Sequence, residues 1–300
     1  MAYRPDDDEY LNHTETEIPP FAFRTLYGFK ALLFRYELLP VSKIPAWVGE
    51  MMTLQTLELR GCRGLRALPR EIGKLIVVKE LHLGGTGLEM LPTEIGSLTS
   101  LRVLNLRGCI RLQELPERLS ELSLLQVLNL EGCKGLEGVP DTIGVLTGLQ
   151  YLNLAMCALL STLPSTCTGL TGLRMLNLAG CTKLNFLPAW LGALTGLERL
   201  ELGCLNQDGA SRQDGQGDQD MLAGVEERME TLPISITDLR RLKILNLGPF
   251  TGNLPDSIGE LISLQDLNLW LCSGLKSLPS SLSGLPGLRL IHLHECVNLT

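Results

Sequence analysis

The chain is 300 residues long, 45 % hydrophobic but only 5 % aromatic, and carries a formal net charge of −7. Residues 1–18 hold −5 of that charge and residues 205–226 hold −4, leaving +2 on the remainder, so the bulk of the chain lacks the basic footprint that nucleic acid or an anionic membrane would need. No stretch approaches the roughly 18 uninterrupted apolar residues of a membrane-spanning helix, and the amino-terminal MAYRPDDDEY has neither the basic n-region nor the apolar h-region of a secretory signal.

Residues 1–20 are acidic, end in Pro19-Pro20, and are expected to be disordered. Residues 21–53 read as a degenerate first coil or cap. Ile44-Pro45 and Val48-Gly49 echo a motif that recurs later, but Leu33 and Arg35 stand where later segments carry two core leucines. From residue 54 a regular pattern takes over. LxxLxLxxC appears as Leu101, Leu104, Leu106 and Cys109, and returns 24 residues on as Leu125, Leu128, Leu130 and Cys133. Leu149, Leu152, Leu154 and Cys157 follow, then Leu173, Leu176, Leu178 and Cys181. Ten starts can be counted, at Leu54, Val78, Leu101, Leu125, Leu149, Leu173, Leu197, Leu242, Leu264 and Leu288. A second motif keeps step, reading LPREIGKL from Leu68 to Leu75, LPTEIGSL from Leu91 to Leu98 and LPDSIGEL from Leu254 to Leu261.

A fixed period in the twenties is the signature of a solenoid, because a unit this short cannot bury its own apolar face and must lean on its neighbours. The xLxLx core alternates apolar and polar residues and predicts a short strand, with the leucines inward. The proline after the next leucine suits the first position of a short helical or 3-10 turn. The Ile-Gly pair is expected to close that turn, with Gly easing the backbone reversal. Ten strands side by side predict a parallel sheet about 45 Å wide, lining the concave face, with the turns on the convex face. Leu202 and Pro233 are 31 positions apart, against 10 between Leu178 and Pro188. The excess, at about 205–226, is rich in Gly, Asp and Gln and predicts a flexible insertion. The closing residues LHECVNLT stop partway through a coil, so the array of residues 54–300 is expected to be truncated there, as a fragment or as one part of a longer protein.

At these residues the chain resembles the leucine-rich repeat family. The resemblance implies an α/β right-handed leucine-rich repeat solenoid, a horseshoe. The Gly-Cys pairs combined with LPxxIGxL resemble the repeats of plant intracellular disease-resistance receptors and of related plant cytosolic Ras-scaffold-like proteins. The family implies a non-enzymatic protein-recognition module in plant-type defence or intracellular signalling. The alternative is the targeting or regulatory part of a larger enzyme, a kinase or ubiquitin ligase, whose catalytic part is absent from this chain.

Seven of the nine cysteines hold the ninth motif position, a spacing unlike the close pairs of a zinc site. They are expected to be small, buried and reduced, their thiols near backbone carbonyls, which fits a reducing, cytoplasmic compartment. There is no GxxxxGK[ST], HExxH or GxSxG motif. His292 and His294 share a strand face, but with Glu295 on the opposite face they make no metal centre, and no cofactor is expected. The candidate site is the outward side of the sheet, meeting another protein. Its middle column is Asn105, Asn129, Asn153, Asn177, Asn246 and Asn268, expected to stack as a side-by-side amide ladder. Beside it run Val103, Val127, Tyr151 and Met175. A third column passes from Arg60 and Gly84 through Arg107, Glu131, Ala155, Ala179, Gly203 and Gly248 to Trp270 and His294, its central residues small enough to leave room for a ligand. The residues singled out for partner binding are Arg107, Val127, Glu131, Tyr151, Met175, Arg199, Trp270, His292 and His294, an apolar patch with a charged or aromatic rim.

Overall fold

The computed structural model describes residues 30–33, 42–184, 186–203 and 232–300. Eleven three-residue strands form one parallel sheet in chain order. They are β1 (Ala31–Leu33), β2 (Thr56–Glu58), β3 (Glu80–His82), β4 (Val103–Asn105), β5 (Val127–Asn129), β6 (Tyr151–Asn153), β7 (Met175–Asn177), β8 (Arg199–Glu201), β9 (Ile244–Asn246), β10 (Asp266–Asn268) and β11 (Leu290–His292). Every one of the ten motif starts leads into a strand, β2 to β11, and β1 adds one before them. The sheet lines the concave side of the solenoid and short 3-10 turns line the convex side.

β1 corrects the expected frame of the first coil. Leu32, not Leu33, pairs with the inward Leu57, and Leu33 is exposed. A leucine pair leaves two frames open, and strand pairing selects one of them, because a one-residue slip would turn every side chain to the other face. Arg35, the acidic segment 1–20, the insertion at 205–226 and Cys204 lie outside the described residues. The stack nevertheless continues from one side of the insertion to the other: Leu200 pairs with Leu245, and the Lys243 and Ile244 N–H groups both donate to the Glu198 carbonyl.

Each coil sends about eight side chains inward. In the coil that begins at Leu101 they are Leu101, Leu104, Leu106, Cys109, Leu112, Leu115, Leu119 and Leu122, all buried. Stacking makes these into continuous columns of leucine, so the core is a rod. At its far end the layer opens, and Ile291, at an inward position, is 38 % exposed where Leu267 before it is 0 %.

The convex turns are five-residue 3-10 helices closed by i→i+3 bonds, as from Ile72 N–H to the Pro69 carbonyl at 3.1 Å and from Leu75 N–H to the Ile72 carbonyl at 3.1 Å. The proline stands one place earlier than expected. Pro69 is the N-cap, extended at φ −69° and ψ 149°, and offers its carbonyl to the turn. The Ile-Gly glycines are also explained differently. They are not in the left-handed region; they let one coil approach the next. A Cβ on Gly144 would sit 1.9 Å from the Thr166 carbonyl oxygen of the following turn, and one on Gly96 would sit 2.3 Å from that of Arg118.

Left-handed backbone is needed elsewhere, just before the cysteine. Gly61, Gly85, Gly108, Gly132 and Gly180 all hold φ near +70° there, and Met156, Leu271 and Glu295 adopt φ of 58–61° at the same place. The cysteines beyond this turn point inward. The Cys133 thiol donates to the Leu106 carbonyl at 3.2 Å, Cys157 to Leu130 at 3.3 Å and Cys181 to Leu154 at 3.1 Å, each carbonyl belonging to the previous coil. Thr86 takes the cysteine place in its own coil and contacts the Cys109 sulfur at 3.3 Å. Burial pushes the Cys157 and Cys181 thiols up to about 12, so they stay protonated donors. No helix among the described residues is long and apolar enough to cross a membrane.

Candidate functional site

In a parallel sheet of identical coils, residues at equivalent positions become spatial neighbours. Val103, Val127, Tyr151 and Met175 are each paired with the next, from β4 to β7, and all are half-buried. Arg199 continues the row on β8. The closed leucine layer beneath fixes the height and direction of the row.

The asparagine column works locally rather than as an amide ladder. Its side-chain oxygen accepts the backbone N–H two residues on. Arg107 donates to Asn105 Oδ1 at 3.0 Å, Glu131 to Asn129, Ala155 to Asn153, Ala179 to Asn177, Gly248 to Asn246, and Trp270 to Asn268. The reason is the tight turn after each strand, which leaves that N–H facing the side chain; Asn is among the few residues short enough to reach it. The amide nitrogen stays available. Asn153 Nδ2 donates to Glu131 Oε2 at 3.2 Å and to the Tyr151 hydroxyl at 3.1 Å.

The alanines do not open a recess. Ala155 and Ala179 are fully buried, because a methyl group stands barely above the pleat and longer neighbours cover it. Their place in the next coil is Gly203, where a Cβ would meet the Gly248 backbone at 2.2 Å. Small residues in this column therefore serve close packing.

Six of the singled-out residues come together on β4–β8 and the turns after them. Arg107 Nη2 bonds Glu131 Oε1 at 3.1 Å, and Asn153 links that carboxylate to Tyr151. Burial pushes the Tyr151 phenol up, with a smaller opposing pull from its bond to Asn153, so it remains a neutral hydroxyl. Val127 and Met175 flank Tyr151, and Arg199 closes the group with its Nε on Glu201 Oε1 at 2.6 Å. The other three stand apart. Trp270, His292 and His294 belong to β10, β11 and their turns, three to four strands or about 14–19 Å from Met175 at the usual strand spacing. There His292 Nε2 meets Asp266 Oδ1 at 3.3 Å, and His294 is exposed.

Two charged groups of this face are not among the residues singled out for partner binding. Glu201 is buried and had a signal, since it interrupts the asparagine column. The other spans β2 and β3. Arg60 Nη2 lies 3.1 Å from His82 Nδ1, and His82 Nε2 lies 3.3 Å from Glu80 Oε2. A guanidinium only donates, so in this contact Nδ1 is the acceptor. Among the described residues no group of three or more His, Cys, Asp or Glu side chains is placed to hold a metal ion.

The family profile described as "Leucine-rich repeat region" matches residues 70–154 and 102–214. Among solved structures, the chain is similar to the leucine-rich repeat domain of the type III effector XopL, at 27 % identity and a TM-score of 0.61, over 90 % of this chain and 79 % of that one. It is also similar to a leucine-rich repeat protein of Leptospira interrogans, at 25 % identity and a TM-score of 0.55, over 94 % and 76 % of the two chains. The functional domain of InlJ from Listeria monocytogenes, described as including a cysteine ladder, shares the fold at 16 % identity and a TM-score of 0.58, over 92 % of this chain and 55 % of that one. A search of curated proteins finds no match. The 24-residue period, the chain-ordered parallel sheet and these likenesses together show a leucine-rich repeat solenoid.

Proposed function

We propose that this chain is a non-enzymatic protein-recognition module whose partner lies on the concave sheet face over Arg107, Val127, Glu131, Tyr151, Met175 and Arg199. The observation that carries this reading is the in-register row from Val103 to Met175, half-buried over a closed leucine layer. A rigid row of this kind meets a partner at little ordering cost. Trp270, His292 and His294 would form a separate contact further along the array. The resemblance of the repeats to plant disease-resistance receptors and cytosolic scaffolds supports a role in plant-type defence or intracellular signalling. The buried, hydrogen-bonded thiols support a reducing, cytoplasmic setting. The second reading, a targeting domain of a larger kinase or ubiquitin ligase, draws on the XopL likeness, where the repeats form a domain of a larger protein. The test is a pull-down followed by calorimetry. Tyr151→Ala is expected to weaken partner binding by at least ~1–2 kcal/mol, and Glu117→Ala on the convex side to leave it unchanged. The reverse pattern assigns binding to the wrong face.

A further inference from the structure

Most charged pairs of the sheet face are sorted by depth, the exception being Glu80, 49 % exposed beside His82 at 12 %. Arg107 is 66 % exposed above Glu131 at 19 %, Arg199 is 49 % exposed above Glu201 at 5 %, and Arg60 is 51 % exposed above Glu58 at 14 %. Arg174 and Lys243 likewise stand out over the Glu198 carboxylate they share. Away from this face, Arg66–Glu89, Arg118–Glu121 and Arg240–Glu260 pair groups of similar exposure; Arg70–Glu94 is an exception. The sorting has a simple cause. A glutamate stem is short and keeps its carboxylate close to the sheet, while an arginine stem lies along the surface and carries its head outward. A guanidinium has five donors in a planar fork, and the partner glutamate uses only one edge. Over β4–β8, a molecule approaching this face of a chain with net charge −7 therefore meets cationic donors first.

Resting on the reading that the sheet face is the binding surface, we propose that its partner is an acidic protein segment. The segment lies extended across the strands, with apolar side chains on Val127, Tyr151 and Met175. Carboxylates at either end take the open edges of Arg107 and Arg199. Arg107 follows β4 and Arg199 lies on β8, four strands and about 19 Å apart across the sheet at the usual spacing, so the two carboxylates stand at least about six extended residues apart. A carboxylate can bind a guanidinium edge in bidentate fashion, and an apolar row between two such anchors suits a peptide. A nucleic acid would call for a continuous basic track, and here the cations are separate and partly neutralised.

The test is selection of a random dodecapeptide display library on the full chain, followed by fluorescence anisotropy of the enriched peptides. The expected pool is rich in Asp and Glu flanking apolar residues and poor in Lys and Arg. Two variants then separate charge recognition from structure, since both break the same ion pair. Arg107→Gln should weaken an enriched peptide about ten-fold. Glu131→Gln frees the same guanidinium and should tighten binding, by roughly two- to five-fold. If both variants weaken binding alike, the pair is only structural and the proposal falls. A pool without an acidic excess, whose peptides still lose binding with Tyr151→Ala, overturns the acidic partner but keeps the sheet face. Acidic peptides indifferent to Arg107, Arg199 and Tyr151 overturn both. Displacement of the peptides by a fifteen-nucleotide oligo-dT at lower concentration would assign the face to nucleic acid instead.

Discussion

Gly144→Ala tests what holds one coil against the next. A Cβ built on Gly144 sits 1.9 Å from the Thr166 carbonyl oxygen and 2.7 Å from its carbonyl carbon. Both are backbone atoms, so no side-chain rotation relieves the overlap. The turn at Ser165–Gly169 must move away by more than an ångström, or its own i→i+3 bonds must distort. A radial gap of that size forfeits a quarter to a half of each contact's attraction, and it opens between the fully packed Ile143 and Cys167. Overpacking of this kind costs about 1–3 kcal/mol, and the backbone nature of the clash puts Gly144→Ala at the upper end. Gly138→Ala is the internal control. Its Cβ would meet nothing within 4 Å, and its φ is not left-handed, so the loss of unfolded-chain freedom should stabilise by about 0.4–1 kcal/mol. Urea denaturation followed by far-ultraviolet circular dichroism gives both differences. Hydrogen exchange shows whether the loss is local, because a stacked array can open coil by coil. Equal midpoints for the two variants would refute close coil-to-coil approach as the reason for glycine at this place.

Leu128→Ala and Leu176→Ala, each emptying a fully enclosed inward site, should cost about 2–5 kcal/mol by the same assay. Met156→Gly should be more stable than Met156→Ala by about 1 kcal/mol, since both lose the side chain and only alanine keeps the cost of φ 59°. In thiol alkylation at pH 8, the half-buried Cys296 should react first among the cysteines of the described residues, and Cys133, Cys157 and Cys181 only after denaturant is added. The pH dependence has a definite sign. Burial holds Cys157, Cys167 and Cys181 up at about 12 in the folded chain, above the ~8.5 of an unfolded cysteine. Their contribution to stability is therefore complete below about pH 8.5 and declines as pH rises toward 12, which denaturation at stepped pH would detect.

Much of the solenoid was legible because leucine periodicity is a direct image of burial. Leu104, Leu128, Leu152 and Leu176 recur at the period of the coil, and each lies at the centre of a strand. Features set by contact between coils were harder to read. Nothing local marks Gly144 as a packing glycine, since the atom that excludes a side chain belongs to Thr166, 22 residues away. The asparagine column was visible, but whether its oxygen faces a neighbouring amide or its own backbone depends on the turn two residues on. The frame of β1 could have been found by allowing a 25-residue offset, which aligns Phe29, Leu32 and Phe34 with Leu54, Leu57 and Leu59; a strict 24-residue count hides it. The two clusters of the candidate site were merged because periodicity tells which residues share a face, and the distance between strands must be counted separately.

The functional question turns on positions where the repeat is silent. The inward residues and the tight turns are fixed by stacking, and any coil of this period would carry them. The outward positions are free of that demand, so their departures from the column carry information. Glu201 among asparagines, Glu131 beside alanines and Tyr151 between valine and methionine are such departures; Asn153 links Glu131 to Tyr151, and Glu201 lies two strands further on. A carboxylate as enclosed as Glu201 costs stability unless it is paired, and Arg199 supplies the pair at 2.6 Å. A neutral asparagine would have completed the column and capped the turn, as Asn177 and Asn246 do on either side. The sheet does not require the charge, whereas an outward-held guanidinium does require an anchor beneath it. In the proposed reading the pair is what this face presents to a partner, and the opposite effects expected for Arg107→Gln and Glu131→Gln probe the same logic at the other end of the row.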